Sequence, residues 1–166
     1  DFIAYRNIGL IEAGRGQFDV AADYYHRVLS IRPDEPVSEN NLAALYGEHG
    51  KGNAEEAMRL AQDVVRRFPG EPGFADTLGW VYFRKGLYRD AAEQLQRSVA
   101  LASKHGGDNS LYRWHLGAAL AASGDRAAAR RELQKCQELY ALEQQRPIKA
   151  PTPTPIDDVR RTLESL

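Results

Sequence analysis

The sequence predicts an all-α fold, a solenoid of helical hairpins, and three observations lead to it. Apolar residues recur with helical spacing, and a glycine-containing turn separates the two halves of the clearest unit. Small residues that follow an aliphatic one recur at steps of 34, 36 and 38 residues. A period in this range is typical of stacked helical hairpins. These recurring small residues are Gly9, Ala43, Gly79 and Gly117.

The clearest hairpin lies in residues 75–101. Gly79 and Tyr82 share one face of its first helix, and Ala91 and Leu95 share one face of its second. Gly86 lies between the two helices, where the first must end and the chain must reverse. Two antiparallel helices approach closely only where the facing side chains are small, so we expect Gly79 and Ala91 to lie at the contact.

The repeated unit resembles the tetratricopeptide repeat, whose pattern is an aromatic residue, Leu-Gly, Tyr, Ala, a large residue and a closing Pro. The resemblance covers residues 2–146 and implies a right-handed α-solenoid of four such helix-turn-helix units followed by a C-terminal helix. The closing Pro is missing from the third and fourth units, where Ser103 and Ala141 stand. The fourth unit matches at Leu116, Gly117, Leu120, Ala129 and Leu133.

These units divide the chain into six segments. They are repeat units at 1–35, 36–71, 72–109 and 110–146, a proline-rich linker at 147–155 and an amphipathic helix at 156–166.

Helix boundaries follow from capping residues. The first two helices are predicted at Phe2 to Glu12 and Phe18 to Ile31. Ser38 is predicted as the N-cap of a helix from Glu39 to Tyr46, with an earlier start after Pro36 as the alternative. Asn53 is predicted to cap a helix from Ala54 to Phe68. Asp125 is predicted to cap a long last helix that runs to about Gln145.

The C-terminal segment has its own pattern. Prolines at 147, 151, 153 and 155 predict an extended tether. Ile156, Val159, Leu163 and Leu166 then form one apolar stripe. So short a helix must dock to be stable, because about 12–15 residues are needed in isolation. The sequence leaves two positions open: a cap on the fourth unit, or a groove of this chain or of a second copy, which would give a homodimer.

Composition excludes several classes. The chain is 43% apolar and 27% charged with net charge −1, so it indicates a globular protein without a polyanionic partner. No apolar run approaches the roughly 18 residues that span a bilayer. The opening at Asp1 predicts a fragment with further repeats upstream. Residues 76–80 are similar to bacterial envelope repeat proteins, which suggests a soluble protein of a bacterial cytoplasm or periplasm.

Chemistry-bearing motifs are absent, and we expect no catalysis, cofactor or metal. No phosphate-binding, zinc-protease or nucleophile-elbow motif is present, and the four histidines show no ligand spacing. Cys136 is predicted to be a buried apolar residue. The basic cluster from Arg126 to Lys135 is predicted to be a solvated outer helix face, since it lacks interleaved aromatics.

What remains is a binding surface. In tetratricopeptide arrays the first helices of successive units line a concave groove, and the groove positions transfer to this chain by register. Trp80, Phe83 and Trp114 are thereby expected close together as a partner hot spot, although Trp80 as core packing between units stays open. The predicted groove residues are Arg6, Leu10, Asn40, Asn41, Asp76, Trp80, Phe83, Arg84, Trp114 and Ala118.

The kind of partner follows by exclusion. The family's carboxylate clamp is matched only at Arg6 and Asn41, and is missing at Leu10, Gly73 and Thr77. An extended peptide or an amphipathic helix of a partner protein is therefore predicted. The main hypothesis is a scaffold without catalysis, and the alternative is a recruiting segment of a larger enzyme.

Overall fold

The computed structural model describes residues 1–49, 54–146 and 154–166, and all secondary structure in these residues is helical. The chain divides into two compact units, Asp1–Pro69 and Gly70–Leu166. The first unit holds α1 (Phe2–Gly14), α2 (Phe18–Ile31), α3 (Pro36–His49) and α4 (Ala54–Arg67). The second holds α5 (Pro72–Arg84), α6 (Tyr88–Lys104), α7 (Ser110–Ser123), α8 (Arg126–Gln144) and α9 (Ile156–Ser165).

In the first unit, α1 pairs with α2 and α3 with α4, and α2 packs against α3. Gly9 is the point of close approach in the first pair, because an added Cβ would lie 2.7 Å from the Cε1 atom of Tyr25. Tyr25 is buried and fills the space that the glycine leaves. The glycine of one helix therefore lies against a large side chain of the next, whereas the sequence predicts a small residue on both sides of the contact.

The start of α3 differs from the predicted N-cap at Ser38. The helix begins at Pro36, where the fixed φ of proline and its missing N–H suit a first helical position. The carboxylate of Glu35 accepts a hydrogen bond from the Ser38 backbone N–H at 2.7 Å, so Glu35 satisfies the donor that a cap would satisfy. Ser38 is thereby inside the helix and buried. The predicted cap Asn53 lies outside the described residues.

In the second unit, the same pairing recurs between α5 and α6 and between α7 and α8. A Cβ on Gly79 would lie 2.5 Å from Leu95 Cγ, and one on Gly117 would lie 2.5 Å from Leu133 Cδ2. Gly86 ends α5 with a φ of 79°, which a glycine adopts without strain. The predicted all-α fold of helical hairpins is therefore confirmed in the local packing of these pairs.

The predicted cap of α8 is also confirmed. Asp125 accepts a hydrogen bond from the Ala128 backbone N–H at 3.0 Å, and α8 ends at Gln144, one residue before the predicted end. The long helix results from good helix formers and the absence of glycine and proline between these limits.

The C-terminal helix α9 packs on α8 and α7. Its residue Val159 is fully buried, and Ile156, Leu163 and Leu166 pack against the same cluster. Of the two positions that the sequence leaves open, the structure therefore has the cap on the last hairpin. Most of the predicted proline tether, residues 147–153, lies outside the described residues.

Candidate protein-binding face

Three rings form a stack on α5 and α7, the first helices of the two hairpins in the compact unit Gly70–Leu166. Trp80 on α5 lies 4.6 Å from Phe83, one turn further along the same helix, and the two rings are nearly parallel at 8°. On its other side Trp80 stacks on His115 of α7 at 4.0 Å. Trp80 and Phe83 stay half-buried, so the stack is both ordered and partly open. We call these three rings the aromatic stack.

A buried hydrogen-bonded pair fixes one end of the aromatic stack. Nδ1 of His115 donates to both carboxylate oxygens of Asp76, at 3.0 and 2.9 Å. Only 6% of Asp76 and 8% of His115 are exposed. The pair joins α5 to α7 and holds the imidazole in one orientation under Trp80. Asp76, which the sequence assigns to the groove, is therefore hydrogen-bonded to His115 of the same chain.

Tyr112 lies in the same region of the second unit. Burial raises the pKa of its hydroxyl, and the charge of Asp76 adds to this shift. Tyr112 therefore stays neutral, and it packs against the apolar cluster of α6 and α7.

Two further groove residues, Trp114 and Ala118, lie beneath α9. They form one cluster with Leu133, Cys136 and Val159. Trp114 is only 9% exposed, so it is not open to a partner while α9 is in place. In this structure α9 covers Trp114, and the part of Trp114 in partner binding stays a prediction.

Hydrogen bonds hold the start of the α9 segment. The Ser110 hydroxyl, at the start of α7, contacts the Thr154 hydroxyl at 2.6 Å. Glu143, near the end of α8, accepts from the Ser110 backbone N–H at 2.8 Å and from the Ser110 hydroxyl. Ser110 and Thr154 are both buried. We call Ser110, Glu143 and Thr154 the polar latch.

In the first unit the predicted groove residues have different environments. Arg6 donates to Glu35 at 3.1 Å, and Asn41 donates to the Tyr25 hydroxyl at 3.3 Å. Asn40 is half-buried, whereas Leu10 is 52% exposed. Leu10 is therefore the most open apolar groove residue of this unit, and Arg6 and Asn41 are oriented by their partners.

A match with a described family comes from the second unit. Residues 77–142 fit the profile described as tetratricopeptide repeat. This stretch contains the two hairpins whose glycine contacts, aromatic stack and helix pairing are described above. Residues 77–142 are therefore similar to tetratricopeptide repeats.

A curated relative and a solved structure are also similar to this chain. Photosystem I assembly protein Ycf3 of Rippkaea orientalis is 31% identical over 64 residues, which are 39% of this chain and 36% of that protein. MamA of Desulfovibrio magneticus RS-1 superposes with a TM-score of 0.69 at 21% identity, covering 86% of this chain and 77% of that one. The matched stretch spans between about a third and half of the length of the curated relatives.

One similar structure belongs to an enzyme. An O-GlcNAc transferase mutant of Thermobaculum terrenum is 25% identical with a TM-score of 0.70. The superposition covers 90% of this chain and 29% of the transferase chain. The likeness to this chain is thus confined to a part of that protein.

The remaining predictions of this repeat protein concern single groups. Cys136 is fully buried, and burial followed by the charge of Glu143 raises the pKa of its thiol to about 12, so it is an unreactive core residue as predicted. The side chains of the basic cluster on α8 are exposed, as predicted for a solvated face. Within the described residues no cluster of metal-ligating side chains occurs, and no helix has the length and apolarity to cross a membrane.

Sequence reasoning missed His115 and the polar latch. The spacing of the histidines indicated only that His115 is not a metal ligand, and its acidic partner Asp76 lies 39 residues away in the sequence. The available signal was the register, since Asp76 and His115 lie on the first helices of successive units. For the polar latch no signal was available, because Thr154 lies within the predicted proline-rich linker.

Proposed function

We propose that this protein is a protein-interaction scaffold that holds a peptide or helix of a partner protein against its first helices. In the second unit the contact residues are Trp80, Phe83 and Arg84, with Asp76 holding the aromatic stack and with Trp114 and Ala118 beneath α9. In the first unit they are Arg6, Leu10, Asn40 and Asn41.

The observation that supports this proposal is the aromatic stack. Large rings that are already ordered before binding lose little conformational entropy when a partner covers them. Half-buried aromatic residues next to an arginine are typical of interaction hot spots. The pair of Asp76 and His115 orders the stack without occupying its open side.

Partner class follows from the same residues. The stack is apolar, and the chain lacks the set of basic and amide residues that binds a C-terminal carboxylate, so an apolar peptide or an amphipathic helix is the best fit. Ycf3, a relative of this chain, is named an assembly protein. Holding a subunit during assembly is a role of the same kind.

A site-specific photocrosslinking experiment tests the proposal. A photoreactive residue is placed at Arg84, beside the aromatic stack, and in a matched variant at Arg131 on the exposed outer face of α8. In lysate of the source cells we expect a discrete adduct from position 84, and loss of that adduct in the Trp80→Ala background. The same adduct from both positions, or one that is insensitive to Trp80→Ala, contradicts the proposed face.

A second candidate is a recruiting segment of a larger enzyme. The similarity to part of an O-GlcNAc transferase favours it, since that enzyme contains a region of the same fold. In this case the binding face is the same, and the catalytic part lies elsewhere in the full-length protein. Sequencing the complete gene distinguishes the two candidates, because an adjoining catalytic domain supports only the second.

A homodimer through α9 is a third candidate, since a docked terminal helix can be exchanged between copies. Light scattering of the chain with and without residues 156–166 tests it. A dimeric mass that becomes monomeric on truncation supports exchange, and a monomeric mass for the intact chain removes it.

A further inference from the structure

The surface of α7 and α8 beneath α9 is an apolar seat for a helix. Trp114 and Ala118 come from α7, and Leu133 and Cys136 from α8, and all four are buried together with Val159 of α9. We call these four residues the helix seat. Without α9 they would form a contiguous apolar surface at the end of the repeat array, which repeat proteins must cover.

The helix α9 contacts the helix seat mainly through one apolar stripe. Its apolar stripe consists of Ile156, Val159, Leu163 and Leu166, at positions i, i+3, i+7 and i+10. Among the described residues the charged pairs of α9 are internal, with Arg160 bonded to Asp157 and Arg161 to Asp158. The seat therefore recognises an apolar stripe of helical spacing, and the charges of the helix are free to differ.

Two features make the occupant replaceable. The helix α9 has ten residues, fewer than the roughly 12–15 that an isolated helix needs, so its order depends on the seat. The half-buried Trp80 and Phe83 pack against the same cluster as the seat. A helix longer than α9 would therefore gain contact with the aromatic stack in addition to the seat.

From this geometry we propose that the helix seat binds an amphipathic helix of a partner protein in exchange for α9, which acts as a built-in competitor. The partner helix has apolar residues at i, i+3, i+7 and i+10. This inference rests on the proposed scaffold function and names the partner segment. Because α9 is tethered, its effective concentration is high, and an incoming helix binds the intact chain more weakly than a chain whose α9 has been released.

The test measures binding of a helix supplied in trans to the full chain. The probe is a fluorescent peptide of residues 154–166, and its affinity is measured by anisotropy for the parent chain, for Val159→Asp and for the exposed-site control Arg160→Ala. We expect at least tenfold tighter binding to Val159→Asp than to the parent and to the control. A peptide that itself carries Val159→Asp should bind none of them.

Folding is checked by circular dichroism, and Leu163→Asp serves as a second release variant if Val159→Asp loses repeat helicity. Equal affinity for parent and release variants, or no binding to a folded release variant, overturns the inference. A stable dimer of the parent by light scattering also overturns it, because the exchanged helix would then come from a second copy. If the crosslink from Arg84 persists while peptide exchange fails, the scaffold function stands and this inference alone is wrong.

Discussion

At the scale of single residues, the fold depends on a few positions where two helices nearly touch. Gly9, Gly79 and Gly117 each face a large side chain on the following helix, and no Cβ fits at any of them without movement. The sequence predicted the glycines at these contacts because small residues recur at steps of 34, 36 and 38 residues, but it did not predict their large partners. The periodicity of the sequence makes such contacts predictable, because each repeat has the same close approach of two helices.

The first prediction concerns Gly79. In Gly79→Ala the added Cβ lies 2.5 Å from Leu95 Cγ and 3.1 Å from the Leu95 backbone nitrogen, so α5 and α6 must separate. We expect the free energy of unfolding to fall by about 1–3 kcal/mol, as for other overpacked cores. Urea denaturation measures it. Gly14→Ala is the matched control, with no atom within 4 Å of the new Cβ, and should be neutral or slightly stabilising. Equal losses in both variants would contradict the contact.

A second prediction concerns Glu35 and pH. Burial alone would raise the pKa of Glu35, but hydrogen bonds from Ser38 and Arg6 and the Arg6 charge together hold it below its usual value of 4.5. A lowered folded-state pKa adds stability above the unfolded pKa, and this stability is lost as the pH falls through the folded pKa.

The test compares Glu35→Gln with the parent. At pH 7 we expect the free energy of unfolding of Glu35→Gln to be lower by about 1 kcal/mol, the usual cost of a lost cap. The difference should shrink on going from pH 7 to a pH below the folded pKa of Glu35, where the parent carboxyl is protonated as well. Urea midpoints at both pH values measure it. Asp34→Asn, at an exposed neighbouring carboxylate, should show little change, and a difference independent of pH would contradict the role of the charge.

At the scale of elements, the predicted helix boundaries agree with the structure where neighbouring residues determine them. They differ where contacts with distant residues determine them. The cap at Asp125 and the glycine turn at Gly86 are local, and both were predicted. The start of α3 was left open between a cap at Ser38 and an earlier start after Pro36, because the capping group is a glutamate carboxylate that Arg6, in α1, helps to orient. The place of α9 was left open because its stripe fits any apolar seat equally well.

The polar latch gives a prediction for α9 as an element. In Thr154→Val the shape of the side chain is kept and the contact with the Ser110 hydroxyl is lost. A hydrogen bond contributes about 0.5–1.5 kcal/mol, so amide hydrogen exchange in α9 should become roughly twofold to tenfold faster. Exchange in α7 should change less. Glu164→Gln, on the exposed side of α9, is the control. Unchanged exchange in Thr154→Val would mean that the latch does not hold α9.

At the scale of the whole molecule, the repeat class and the helix pairs can be predicted from the sequence because the same pattern of small and apolar residues recurs in each repeat. The binding face follows only in part. Register placed Trp80, Phe83 and Trp114 near one another, but register cannot tell that a terminal segment of the same chain covers Trp114. The covering of Trp114 depends on the docking of α9 onto α7 and α8, which are far from it in sequence.

The central claim is that α9 fills the helix seat over Trp114. The most direct measurement is Trp114 fluorescence in the full chain with Trp80→Phe, which leaves one tryptophan of the two and removes an indole N–H without an acceptor among the described residues. We expect blue-shifted emission that is protected from acrylamide, and a red shift with faster quenching when Val159→Asp is added. Solvent-exposed emission in the Trp80→Phe chain, or emission that Val159→Asp leaves unchanged while the repeats stay folded, would contradict the claim.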